Sequence, residues 1–192
     1  MPNGKRRRPA LLAGVALVPR AAAFDWPSNC TDKPNPRRNP VTLLEECDCN
    51  IVGKFDVPDG ETAIPLRAFQ GCLSLTNVTG MANVTSVGNH AFSQTGLTSF
   101  AWPSSAAAVP AHCFSGAASL ASITNLENVD TVGDSAFSGT GLTSFAWPSR
   151  ATTVPIQCFS GAASLASITN LEKVNTVGDL SLIHISEPTR PY

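Results

Sequence analysis

The chain has 192 residues, 43% of them hydrophobic and 14% charged, with a formal net charge of −1. That apolar content is enough for a packed core, and no uninterrupted apolar stretch approaches the roughly 20 residues that span a bilayer. Residues 24–180 hold seven Lys and Arg against thirteen Asp and Glu, a net charge of −6, which removes the basic footprint that phosphate binding needs and excludes nucleic acid as the expected partner.

The first segment, residues 1–23, runs from the basic "KRRR" through the apolar "ALLAGVALV" to the small residues of "RAAA". This order predicts a secretory signal peptide cleaved after Ala23. The arginines and the lack of acids before Asp25 leave an organelle transit peptide as the alternative. Residues 24–51 are rich in proline and hold Cys30, Cys47 and Cys49. They predict a cysteine-bearing N-terminal cap, in which "NPVTLLEEC" starts a short helix with Asn39 as cap and Pro40 in the first turn. In an oxidising compartment one disulfide is expected there, from Cys30 to Cys47 or from Cys30 to Cys49.

From residue 52 to 180 the chain repeats itself. Val87 to Thr131 aligns without gaps on Val132 to Thr176, with 35 of 45 positions identical. A more diverged copy precedes them, and each copy divides again, so the unit is about 22–23 residues. Ile64, Val87, Val109, Val132, Val154 and Val177 form one ladder. Phe69, Phe92, Phe114, Phe137 and Phe159 form a second, and Leu75, Leu97, Leu120, Leu142 and Leu165 a third. One unit is too short to enclose its own apolar side chains; stacked units bury a continuous core against their neighbours. Recurrence of a letter therefore means recurrence of a side chain at one place in successive coils.

Within each unit "LTSFAW" or "LASITN" fits L-x-x-L-x-L, and "VGDSAF" or "VPAHCF" carries the chain around the other side. This resembles the BspA-type leucine-rich repeat, whose coils pair an Ala-Phe turn with an L-x-x-I-x-I-P strand. The resemblance implies an α/β repeat solenoid, a leucine-rich repeat superhelix with short strands on one face and turns or short helices on the other. Trp102 and Trp147 depart from it at a usual Ile position, as do Ala106 and Ala151 where Val is common.

Cys113 and Cys158 are equivalent positions two coils apart, about 10 Å at the usual strand spacing and beyond disulfide reach. Ala91 and Ala136 fill the matching half-unit site, so both read as small buried residues. Cys72 aligns with Ala117 and Ala162 and is expected to pack in the same way. After Asp179 the register fails: "SLIHISEPTRPY", residues 181–192, resembles the translation of a sequencing adapter and is expected to be a non-native tail.

Little in the sequence carries chemistry. There is no HExxH, P-loop, CxxC pair or G-x-S-x-G, and "CDC" at 47–49 has no companion cluster for a metal. His112 precedes Cys113, but neighbours in an extended chain face opposite ways. No catalytic residue, cofactor or metal is expected. What remains is the solvent-facing side of the strands: Thr98, Ser99 and Ala101; Ser122 and Thr124; Thr143, Ser144 and Ala146; Ser167 and Thr169. This face has no Trp, Tyr or Arg, the usual hot-spot residues, so binding through it needs many coils or copies. Sequons at Asn29, Asn77 and Asn83 are candidate N-glycosylation sites, and a glycan on Asn77 would obstruct the face.

The resemblance implies a non-enzymatic, secreted or cell-surface module that binds a protein or carbohydrate ligand. Two alternatives stand beside it: a spacer or regulatory ectodomain of a larger protein with a further C-terminal domain, a catalytic one included, and a binder of a regular lattice such as ice or crystalline polysaccharide.

Overall fold

The computed structural model describes Cys49 and residues 51–181. Each coil contributes one longer strand and one two-residue strand. In chain order these are β1 (Gly53–Asp56) with β2 (Ala63–Ile64), β3 (Leu75–Thr79) with β4 (Ser86–Val87), and β5 (Ser99–Ala101) with β6 (Ala108–Val109). They continue as β7 (Ser122–Thr124) with β8 (Thr131–Val132), β9 (Ser144–Ala146) with β10 (Thr153–Val154), and β11 (Ser167–Thr169) with β12 (Thr176–Val177). All pairings are parallel: β1 with β3, β5 with β7 and β9 with β11 on one wall, β2 with β4, β6 with β8 and β10 with β12 on another. On the long-strand wall β3 also lies against β5, and β7 against β9.

A third row of hydrogen bonds ties the turns together. The amides of Phe69, Phe92, Phe114, Phe137 and Phe159 donate to the carbonyls of Ala91, Cys113, Ala136, Cys158 and Ser181, each on the following coil. The chain is thus a β-solenoid, and the helical part of the α/β expectation is corrected. Among the described residues there is no α-helix; turns carry the chain round, with one 3-10 turn at Met81–Asn83. The reason is local. Arg67, His90, His112, Ser135 and Gln157 hold φ between 53° and 59°, and four residues later Gly71, Gln94, Gly116, Gly139 and Gly161 are again left-handed. Two such residues within five leave no room for a helical run, which needs far more residues to be stable.

The Phe ladder forms one buried column. Successive rings from Phe69 to Phe159 have centroids 5.3, 5.5, 5.9 and 5.5 Å apart and lie within 17° of parallel. Isolated aromatic pairs are as content edge to face; here the coil period sets one orientation for all. The edge contacts come from the strand column, where Phe100 meets Phe114 at 5.2 Å and Phe145 meets Phe159 at 5.2 Å. The Leu ladder is buried alongside.

The two departures from the repeat pattern explain each other. Trp102 and Trp147 are each only 1% exposed, and their Nε1–H groups donate to the carbonyls of Ala106 and Ala151, both at 2.9 Å. Ala106 and Ala151 are themselves buried, and their carbonyls satisfy a donor that burial would otherwise strand. Backbone approach is equally tight where Pro65, Pro110 and Pro155 alternate with Gly88, Gly133 and Gly178. A Cβ on Gly133 would lie 2.4 Å from the backbone nitrogen of Ala111, and only glycine has none.

The cysteines hold one surprise. Cys49 is bridged to Cys72 across 23 residues, with Cα atoms 5.0 Å apart. This corrects two expectations: Cys49 does not pair with Cys30, and Cys72 is not a free buried thiol. The physical reason is the period itself. Cys49 stands one coil before Cys72, and parallel neighbours at that spacing meet disulfide geometry. The seat is the one that Ala117 and Ala162 fill in later coils. In the intervening coils it holds Thr95 and Thr140, whose buried hydroxyls donate to the carbonyls of Phe92 and Phe137. Cys113 and Cys158 are free and buried. The signal-peptide segment, Cys30, Cys47 and the helix expected from Asn39 lie outside the described residues, as does the tail beyond Ser181.

Candidate functional site

On the long-strand wall, every second or third residue points inward and those between face solvent. Leu97, Phe100 and Trp102 are buried, whereas Thr98, Ser99 and Ala101 are exposed; the next coils repeat this with Ser122 and Thr124, Thr143, Ser144 and Ala146, and Ser167 and Thr169. Strand register aligns Ser99 with Ser122 and Ser144 with Ser167. Beside that serine column, Ala101 faces Thr124 and Ala146 faces Thr169. Adjacent hydroxyls therefore recur at about the 4.8 Å strand spacing. The ten residues carry no formal charge, so this face offers only hydroxyl hydrogen-bonding groups and small apolar side chains.

The same wall begins at β1 and β3 with a different surface. The Thr79 hydroxyl donates to the Asp56 carboxylate at 2.5 Å, and Thr76 donates to the Gly53 carbonyl. Asn77, in the middle of β3, and Asn83, in the 3-10 turn, are both exposed. Asn29 lies outside the described residues.

At the exit end of β7, β9 and β11 the wall folds into a cleft of about 300 Å³. Ile123, Leu126, Ala146, Trp147 and Pro148 supply its apolar lining, and Thr124, Asn125, Glu127, Ser149 and Asn170 its polar groups. Asn125 and Asn170 have φ of 64° and 62°, ending their strands in the left-handed turn that Gly80 makes earlier. Asn suits that conformation because its short polar side chain bonds locally. Trp147 is buried beneath and presents no open indole face. Sequence reasoning missed this cleft; the trace it left is the Asn that follows "SIT" in two alternate coils.

Nothing in the described part assembles a nucleophile. Burial pushes the Cys113 thiol well up from its ordinary range, and burial followed by the Asp134 carboxylate does the same to Cys158. His112 is half-exposed on the turn surface. Among the described residues no three His, Cys, Asp or Glu side chains stand together as a metal site, and no helix is long and apolar enough to cross a membrane.

Comparison with known proteins gives the geometry its context. Residues 47–166 match the BspA type leucine rich repeat region in 6 copies. The structure is similar to a leucine rich cell surface protein from Faecalibacterium prausnitzii, with 27% identity and a TM-score of 0.58 over 65% of this chain and 34% of that one. It is also similar in fold to the T. pallidum leucine rich repeat protein, at 23% identity and a TM-score of 0.51 over 65% of this chain and 72% of that one. The chain thus spans about a third of the length of the first. No curated protein is similar enough to match.

Proposed function

Since the chain belongs to the BspA-type leucine-rich repeat family, we propose that it is a non-enzymatic binding module, displayed outside the cell, that contacts a protein or carbohydrate ligand through its long-strand wall. The observation that carries this reading is the exposed, uncharged serine column of β5, β7, β9 and β11, repeated in register over a buried aromatic core. A rigid scaffold that repeats one surface suits weak contacts summed over several coils. The cleft at Asn125 and Asn170 gives the wall a defined end where a ligand group can be held by amide and carboxylate hydrogen bonds. The likeness to a protein named as a cell surface protein supports the extracellular setting. Residues 1–23 would then direct export, and Asn77 and Asn83 would be glycosylated in a host that modifies sequons.

The test is binding to glycan and extracellular-protein arrays by the native chain, by a variant with Ser99, Ser122, Ser144 and Ser167 replaced by Gln, which adds bulk without stacking like charges, and by Leu73→Glu on the turn side. The strand variant should weaken the strongest hit by about tenfold or more in Kd, some 1.4 kcal/mol, with unchanged melting; Leu73→Glu should bind as the native chain does. Equal binding by the strand variant, or no ligand for the native chain, would sink the reading.

A further inference from the structure

The two near-identical repeat copies differ at a place where the structure puts two imidazoles face to face. His90 and His112 occupy successive rungs of the left-handed ladder, with ring centroids 4.6 Å apart and planes 5° from parallel. The rung before them is Arg67. In the second copy the same rungs are Ser135 and Gln157, neither of which titrates.

We infer that His90 and His112 form an acid-sensitive clasp between coils, closed when the rings are neutral and loosened when both carry charge. Neutral imidazoles stack as flat, weakly polar plates. Two imidazolium ions at this separation, with the Arg67 rung beside them, place like charges within the range where repulsion is felt. The charged neighbour on the other side is Asp134, whose backbone carbonyl accepts the His112 amide while its carboxylate accepts the Ile156 amide. That carboxylate is thus tied to the next coil. The Cys113 thiol, next in the chain to His112, is buried, and that burial favours its neutral form.

The sign follows from linkage. Burial first, then His112 and Arg67, hold the His90 imidazole below its ordinary range. The opened turn, where these effects are lost, binds protons more readily than the closed one. Stability of the closed turn is therefore fully present above the ordinary imidazole value of about 6.5 and falls as the pH drops below it.

The near-duplicate provides an internal control. The amides of His90, Phe92 and Gln94 donate to the next coil just as those of Ser135, Phe137 and Gly139 do. Hydrogen exchange on the full chain should show the first set losing protection relative to the second, by at least about twofold, between about pH 7.5 and about pH 5. In the double variant His90→Ser with His112→Gln, which installs the residues the second copy already accommodates, that relative loss should vanish. A protection ratio that is flat with pH in the native chain overturns the inference. So does a relative loss that persists in the double variant, because acid would then be acting elsewhere.

Discussion

Phe114→Ala should lower stability by about 3–5 kcal/mol, the loss expected when a fully buried aromatic ring is removed from a core that cannot collapse around the void. Phe114 sits where the two repeat copies meet. It stacks between Phe92 at 5.5 Å and Phe137 at 5.9 Å, and Phe100 and Trp102 reach it from the strand side at 5.2 and 6.1 Å. No single neighbour can fill the hole, since each is held by its own coil. Because a solenoid is stabilised by nearest-neighbour interfaces, the cavity should also uncouple the coils on its two sides. Denaturant unfolding should then broaden or split, and Phe114→Leu should recover part of the loss. A change below about 1 kcal/mol, at the level of an ordinary surface substitution, would show that the column does not hold the stack together.

The second large effect concerns the clip at the other end. Cys72→Ala removes the bridge to Cys49 while leaving a residue that the same seat already holds at Ala117 and Ala162. The packing change is therefore small, and the expected loss of about 3 kcal/mol is that of opening a 23-residue loop in the chain-entropy model. Cys49→Ala should match it, and a reducing agent should remove most of the difference between the native chain and the two variants. Exchange should rise first at β1, which among the described strands pairs only with β3. Unequal losses from the two alanine variants, or no response to reduction, would contradict a bridge between these partners.

How far the sequence could be read depended on whether a feature repeats. The Val, Phe and Leu ladders name their own neighbours, because a residue 22 or 23 positions away must be the one stacked above, and the exposed serines follow by subtraction. Cys49 obeys the same period, but its nearness in the chain to Cys30 and Cys47 points to those as partners. Counting back one coil from Cys72 would have found it. The left-handed ladder of Arg67, His90, His112, Ser135 and Gln157 carries no glycine to mark a positive φ, so the sequence shows only half of what bars a helix, the mostly glycine row four residues on. Trp102 and Ala106 looked like two independent departures; only the contact between indole and carbonyl makes them one. The cleft depends on how three successive turns lie against each other, a relation that no single repeat contains.

The central claim is that residues one period apart are spatial neighbours and residues two periods apart are not. Paired cysteines test it directly on the candidate face. In oxidised protein, Ser99→Cys with Ser122→Cys should close an intrachain disulfide, as Cys49 and Cys72 do at the same separation of 23 residues. Ser99→Cys with Ser144→Cys, two coils and about 10 Å apart, should not. A bridge between 99 and 144 within one chain, or none between 99 and 122, would contradict the stacked-coil account.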